Sequence, residues 1–194
     1  MPFTAEAKNG SDTWERVDIT KFEAPKFDLK NYELRCADPD CHAKMFIRQG
    51  IDIAPHFYHA PGAAATNCLF TGTGESEDHR LGKLTIAQKL RGHRYYAGAD
   101  INLEVIIDCA GVKRIVDVLV TSPDGSTEAH EIQLARTSIQ ECEVRTNDYI
   151  RAGIGGVIWW FGGSNANDSA LRTWAERTCG ACGVLGFTSE VVII

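Results

Sequence analysis

Apolar and polar positions alternate along this chain in two distinct periods. Between residues 75 and 91, Leu81, Leu84, Ala87 and Leu90 recur at three-residue intervals, a spacing that predicts a helix with one apolar face. Its acids, Glu75, Glu77 and Asp78, come before its bases, as the helix dipole favours. Three β-rich runs follow at residues 101–109, 114–121 and 128–135. A helical stretch at 138–151 and the apolar run Val157-Ile158-Trp159-Trp160-Phe161, which reads as a buried strand, complete the block. The predicted order is α-β-β-β-α-β. Elsewhere the periodicity weakens. The turn-rich Thr71-Gly72-Thr73-Gly74 precedes the first helix, and residues from 167 onward suggest one short helix and a last strand to Ile194. Residues 1–30 mix charges without a clear period and suggest no role. The expected division is an N-terminal extension at 1–30, a small cysteine- and histidine-bearing unit at 31–70, a core at 71–165 and a helix-strand extension at 166–194.

Composition narrows the classes. Among 194 residues, 20 Lys and Arg against 26 Asp and Glu leave a net charge of −6, which excludes a histone-like polybasic binder. With 44% hydrophobic and 24% charged residues the chain suits an ordinary globular protein. No apolar run approaches the ~20 residues that span a bilayer, and the N-terminal residues lack a secretory h-region, so a cytoplasmic location is expected. Seven cysteines, an odd number in such a chain, favour thiols, metal ligands or core packing over disulfides.

Chemistry concentrates first in a hairpin. Ser122-Pro123-Asp124-Gly125-Ser126 suits a type I turn closed by a left-handed glycine. Pairing Ser122 with Ser126 places Asp117 opposite Glu131 on one face, with the two carboxylates ~5 Å apart. Like charges facing each other among Ile, Val and Leu are costly, and a divalent cation would resolve the conflict. Gln133, two residues beyond Glu131, projects from the same face. Hard oxygen ligands suit Mg²⁺ or Mn²⁺, which orient a phosphodiester and lower the pKa of an attacking water. A solvated hairpin face that binds nothing fits the pair alone equally well.

On the first helix Glu75, His79 and Lys83 stand four apart and are expected to share a stripe. From Arg80 to Arg94 there are five basic residues and no acidic one, which gives either a local track for phosphates or a wet helix face. Upstream, Cys36 and Cys41, four residues between them, are followed by His56, His59 and Cys68. The segment has too little apolar mass to fold unaided. A structural Zn²⁺ held by Cys36, Cys41, His59 and Cys68, with His56 as the alternative to His59, would supply the staple. Cys179 and Cys182 form a lone C-x-x-C open to three readings: a redox pair, a contribution to a zinc site, or buried thiols. Cys109 and Cys142 read as core residues.

The strings GESEDHRLGK at 74–83, RIVDVLV at 114–120 and HEIQLA at 130–135, with Arg145 and Tyr149 four apart and the Val157-Ile158-Trp159-Trp160 strand, resemble the competence protein CoiA-like nucleases of the PD-(D/E)XK superfamily. The resemblance covers about residues 32–161. It implies a restriction-endonuclease-like αβββαβ core with a small N-terminal zinc-knuckle-like module. It also implies Asp117 and Glu131 as Mg²⁺ or Mn²⁺ ligands, the Ile132 carbonyl as a third oxygen, and Glu75 as a holder of metal or its water. His79 then falls at a metal-binding position and Gln133 where the superfamily name has Lys, so that charge stabilisation falls to Lys83, Arg145 or the ion. Arg145 and Tyr149 are implied to grip the substrate backbone. The resemblance supports the zinc ligands through His56-Phe57-Tyr58-His59, although the gap between the first cysteines is four where two is usual. The expectation is a metal-dependent nuclease acting on DNA. The alternative is a nuclease-like fold that binds DNA or a protein partner without cutting.

Overall fold

The computed structural model describes residues 2–51, 53–65, 67–71, 75–186 and, for the backbone, 191–193. The turn expected at residues 72–74 and the terminal Ile194 lie outside the described residues. The chain divides into two compact units, residues 1–75 and 76–194.

The first unit consists of β1 (Thr4–Lys8), β2 (Glu15–Asp18), a one-turn helix α1 (Pro25–Asp28), β3 (Glu33–Arg35), β4 (Met45–Arg48) and β5 (His56–His59). β1 is the centre of an antiparallel sheet ordered β2-β1-β3, and β4 and β5 form a separate hairpin. Residues 1–30 are therefore part of this unit rather than a bare extension. They contribute Phe3, Ala5, Ile19 and Leu29 to a core shared with Met45 and Phe57, and the Phe57 N–H donates to the Pro2 carbonyl at 2.8 Å. Strands of three to five residues are too short to register as an alternating pattern, which is why the sequence showed none.

The second unit runs α2 (Glu77–Gly92), β6 (Asp100–Cys109), β7 (Val112–Thr121), β8 (Thr127–Gln133), α3 (Ile139–Arg151), β9 (Gly156–Gly162), α4 (Ser169–Cys179), β10 (Cys182–Leu185) and β11 (Val191–Ile193). Its block α2 to β9 has the expected α-β-β-β-α-β order. The six strands form one mixed sheet ordered β11-β10-β9-β8-β7-β6, in which β8, β9 and β10 run parallel and the outer pairs antiparallel. The fold is mixed α/β. No described helix is long and apolar enough to cross a membrane.

α2 begins later than its periodicity suggests. Ser76 is its N-cap, its hydroxyl accepting from the His79 N–H, so Glu75 precedes the helix and does not share a helical stripe with His79 and Lys83. The buried face is Gly82, Lys83, Ile86, Ala87 and Leu90, while Leu81 is 54% exposed. Counting strictly by threes drifts off a face that recurs every 3.6 residues. Gly82 lets the helix approach β8, since a Cβ there would stand 3.1 Å from the Ile132 side chain. The opposite face of the sheet packs Trp159, Phe161, Ala129 and Val157 against Cys142 and Tyr149 of α3 and Leu171 and Ala175 of α4. α3 opens with a capping box between Ser138 and Glu141, a motif whose loss typically costs ~1 kcal/mol.

The β7–β8 hairpin fixes the site. The Ser122 N–H donates to the Ser126 carbonyl at 2.8 Å, and Gly125 takes the left-handed conformation (φ 85°) that the turn requires. The ladder Thr121 to Thr127 and Val118 to His130 follows. Just beyond the end of that ladder come Asp117 and Glu131, linked by side-chain rather than backbone contacts.

Candidate active site and metal cluster

In the first unit, Cys36, Cys41, His59 and Cys68 bring their ligand atoms within 4.8 Å of one another. Three edges are 3.6 Å: Cys36 Sγ to Cys68 Sγ, Cys41 Sγ to His59 Nε2, and Cys68 Sγ to His59 Nε2. A tetrahedral zinc with Zn–S near 2.3 Å places its sulfurs about 3.8 Å apart, so this donor set fits zinc in both chemistry and size. Backbone N–H groups of Asp38 and Ala65 point at the Cys36 and Cys41 sulfurs, 3.5 and 3.4 Å away. Burial raises the Cys36 thiol, pushes Cys68 up to about 11 and lowers the His59 imidazole, so the imidazole stays neutral with its lone pair free for an ion. Burial pushes Cys41 up as well, but hydrogen bonds from Ala65 and Ala43 and from the neighbouring thiols outweigh it and leave the pKa lowered. His56 stands outside the cluster, its Nδ1–H donating to the Ala54 carbonyl at 2.8 Å. Asp38 has no signature in the sequence. Fully buried, it accepts from the N–H groups of Asp40 and Leu69 at 3.0 and 2.8 Å and so ties the first cysteine loop to the segment bearing Cys68.

Cys179 and Cys182 pack with the core of the second unit, as do Cys109 and Cys142, and burial raises the thiol pKa of all four. Cys182 is buried and Cys179 half-buried, both are free thiols, and neither belongs to the Cys/His cluster.

In the second unit the β7–β8 ladder runs as far as Val118 and His130, and beyond it side chains replace backbone pairing. Asp117 Oδ2 accepts the Ile132 N–H at 2.9 Å, and Glu131 Oε1 lies 3.3 Å from the Asp117 nitrogen. From α2, His79 Nε2 stands 2.9 Å from the Ile132 carbonyl oxygen and 3.3 Å from Asp117 Oδ2. From α3, the Tyr149 hydroxyl donates to Glu131 Oε1 at 2.7 Å and Arg145 Nε lies 3.0 Å from Glu131 Oε2. The helices thus approach the acid pair from two sides and divide it, His79 serving Asp117 and Arg145 with Tyr149 serving Glu131.

This division sets the charges. Burial alone would raise Asp117, but the hydrogen bond and charge of His79, with Lys83 and Arg145 beyond, hold it down to about 2. Burial and then the neighbouring Asp117 raise Glu131 to about 7 against the pull of Arg145. The pair therefore carries one firm negative charge and one that a proton or a cation can compensate.

Several expected roles change. Tyr149 is fully buried and its hydroxyl is directed at Glu131, so it positions that carboxylate instead of gripping a substrate. Arg145 lines the adjacent cleft but also donates to the Ile115 carbonyl at 2.9 Å, which makes it first a partner of Glu131. Lys83 is 3% exposed and its Nζ lies 2.5 Å from Glu104 Oε1, so its charge is sequestered from any phosphate. Gln133 reaches the cleft, yet its amide donates to the Ala135 carbonyl at 2.7 Å.

Sequence reasoning misses Glu104. Pairing of Leu103 with Val118 and of Val105 with Val116 places it opposite Asp117, and it adopts a left-handed φ of 53° inside a strand. Glu104, Asp117 and Glu131 thus occupy matching positions on three neighbouring strands. A strained non-glycine residue costs about 1–3 kcal/mol and persists where its surroundings demand it; here the demand is the buried pair with Lys83. An acid interrupting Leu103-Glu104-Val105 was the available signal. Also unforeseen are Arg114 and Arg136, which join Arg145 around a cleft of about 500 Å³ beside Gln133.

Residues 75–178, more than half of the chain, match the family model for the nuclease-like domain of competence protein CoiA. No curated protein matches the chain.

Proposed function

The chain belongs to the competence protein CoiA nuclease-like domain family, and from that premise we propose that it is a divalent-metal-dependent nuclease that hydrolyses DNA phosphodiester bonds, with its second unit as a PD-(D/E)XK core. The observation that carries this reading is the meeting of two buried carboxylates from β7 and β8: Asp117 Oδ2 accepts the Ile132 N–H, Glu131 Oε1 lies 3.3 Å from the Asp117 nitrogen, and His79 Nε2 stands 2.9 Å from the Ile132 carbonyl oxygen and 3.3 Å from Asp117 Oδ2. Two carboxylates and a carbonyl fit a hard cation in kind, and Asp117, Glu131 and the Ile132 carbonyl would hold Mg²⁺ or Mn²⁺, with His79 positioning Asp117. When bound, such an ion supplies a polarised phosphoryl group and an acidified water.

The protein's own groups do the rest. Asp117 stays ionised at neutral pH. Glu131, raised to about 7, would give up its proton were a cation bound, and in the metal-free protein Arg145 and Tyr149 hold its carboxylate in place. Arg114, Arg136 and Arg145 line the cleft in which the phosphate backbone would lie; Arg114 is paired with Asp148 and Arg145 with Glu131, so Arg136 is the one of the three without an ion pair among the described residues, and the cleft's positive charge rests on all three together. The Cys₃His cluster would carry a structural Zn²⁺. Reduced thiols suit the cytoplasm.

Incubating the pure protein with plasmid and single-stranded DNA in Mg²⁺ or Mn²⁺ tests the proposal. Cleavage is expected to fall by about 10³-fold or more in Asp117→Ala and Glu131→Ala, and equal activity in both variants would defeat it. A second reading, a nuclease-like module that binds without cutting, draws on the sequestered Lys83 and on Gln133 in place of lysine. DNA affinity that needs no divalent ion and survives loss of both acids would favour it.

A further inference from the structure

The first unit carries a large concave surface that neither the metal cluster nor the acid pair uses. It is a groove of about 860 Å³ formed by α1, β3 and the β4–β5 hairpin. Four aromatic rings line it: Trp14, Tyr32, Phe46 and Tyr58. Phe46 and Tyr32 are 39% and 37% exposed, unusually open for large rings, and the Phe46 and Tyr58 rings lie 5.8 Å apart. Four cations share the groove, Lys26, Lys30, Arg35 and Lys44, which are half of the eight Lys and Arg in residues 1–75, against one acid, Glu33. In a chain of net charge −6 this is a local excess of the opposite sign.

Rings and cations are interleaved. The Arg35 guanidinium lies 4.2 Å from the Trp14 ring centroid and Lys44 Nζ lies 5.3 Å from that of Phe46. Arg35 also pairs with Glu6 at 2.6 Å, and Lys26 Nζ is 3.4 Å from the Gln49 carbonyl, whereas Lys30 and Lys44 are exposed side chains set toward the rings of Phe27 and Phe46. A purely acidic peptide would use the cations and leave the rings idle. A duplex would offer phosphates but keep its bases stacked on one another. A strand with unstacked bases uses both features, bases lying on the rings and phosphates beside the ammonium groups.

We propose that this groove binds single-stranded nucleic acid. The assignment stands independently of the nuclease reading, because none of its residues belongs to the acid site.

Fluorescence anisotropy with a labelled oligothymidylate tests it, using the full chain carrying Asp117→Asn so that nothing is cut and no chelator disturbs the cysteine cluster. Phe46→Ala is expected to weaken binding about tenfold, the effect of losing one stacked base. Lys30→Glu with Lys44→Glu should weaken it further and flatten the salt dependence by about 0.7 in log–log slope for each phosphate no longer neutralised. All three residues are surface-exposed, so the fold should persist, and an unchanged zinc content with unchanged far-UV circular dichroism checks that it does. Unlabelled duplex of equal length should compete at least about tenfold less well than single strand. Wild-type affinity in the groove variants, or no affinity in the parent protein, overturns the proposal. Equal competition by duplex reduces the groove to a general electrostatic surface and overturns it too, and equal competition by polyglutamate would overturn it by assigning the groove to an acidic protein.

Discussion

The cysteine cluster and the carboxylate pair both gather side chains with ligand atoms inside small folds, but they are poised in opposite ways. Around Cys36, Cys41, His59 and Cys68 the four donor atoms already converge, and among the described residues no other set of side chains does so. Their nearest partners are one another and two N–H groups. At Asp117 and Glu131 the oxygens are already engaged, by His79 and the Ile132 N–H on one side and by Arg145 and Tyr149 on the other. Four donors gathered by short strands and loops make a site whose fold an ion would staple. Carboxylates compensated by protein cations make a site that folds without an ion. The surroundings agree: the cluster sits on loops between strands of three to four residues, while the acids sit on strands of seven and ten residues packed over a core of Trp159, Phe161 and Leu171.

The largest effect should come from breaking the cluster. Zinc in comparable small sites contributes on the order of 10–16 kcal/mol, so Cys36→Ser or Cys68→Ser should abolish bound zinc and unfold the first unit. Hydrogen exchange should then show residues 33–69 unprotected while β7 to β9 keep their protection. If chelation leaves the first unit protected, the contrast between the two sites fails. Next in size is the buried Lys83–Glu104 pair. Lys83→Met alone should cost about 3–5 kcal/mol by stranding a carboxylate, and adding Glu104→Gln should restore most of the loss in chemical denaturation. Recovery of stability together with cleavage would show that Lys83 supports the strand geometry and does not contact the phosphate.

A smaller effect is expected with pH. Glu131 is raised above its ordinary value to about 7, so the native metal-free protein holds a proton that the unfolded chain has already released. Native stability should therefore decline as pH rises from about 4.5 to about 7. Mn²⁺ affinity should rise over the same range, by up to about tenfold per unit below 7, and level off above it. Differential scanning fluorimetry with and without Mn²⁺ measures both, and opposite slopes are the expected signature. The depressed Asp117 contributes stability that is lost only as pH falls below the ordinary carboxylate range toward about 2. Smallest should be Ser138→Ala, which removes the α3 cap at about 1 kcal/mol and should leave zinc content unchanged.

The same contrast governs what the sequence disclosed. The neighbourhood of the acid pair was legible because a five-residue turn fixes register locally: once Ser122 faces Ser126, the pairing runs as far as Val118 with His130 and brings Asp117 and Glu131 together just beyond it. The order of helices and strands in the second unit was legible because its elements are long enough to show a period. Glu104 escaped because its one local sign, an acid between Leu103 and Val105, tells nothing of its left-handed backbone, and its partner Lys83 is 21 residues away on a helix. The spacing of Arg145 and Tyr149 marks them as a pair, yet their direction, inward onto Glu131, depends on how α3 packs over the sheet. Leu81 falls off the buried face because a period of three does not follow a helix of 3.6. The strands of residues 1–30 left no trace, being stabilised by pairing with distant segments, as β1 pairs with β3, and not by their own pattern.

The most direct test is to locate Mn²⁺ by anomalous scattering in crystals grown with the ion and a short oligonucleotide. We expect a peak bound by Asp117, Glu131 and the Ile132 carbonyl, with a separate zinc peak amid Cys36, Cys41, His59 and Cys68. A structure in which Glu131 still rests on Arg145 and Tyr149, with Mn²⁺ bound elsewhere on the chain, would contradict the assignment of these acids as a catalytic metal site.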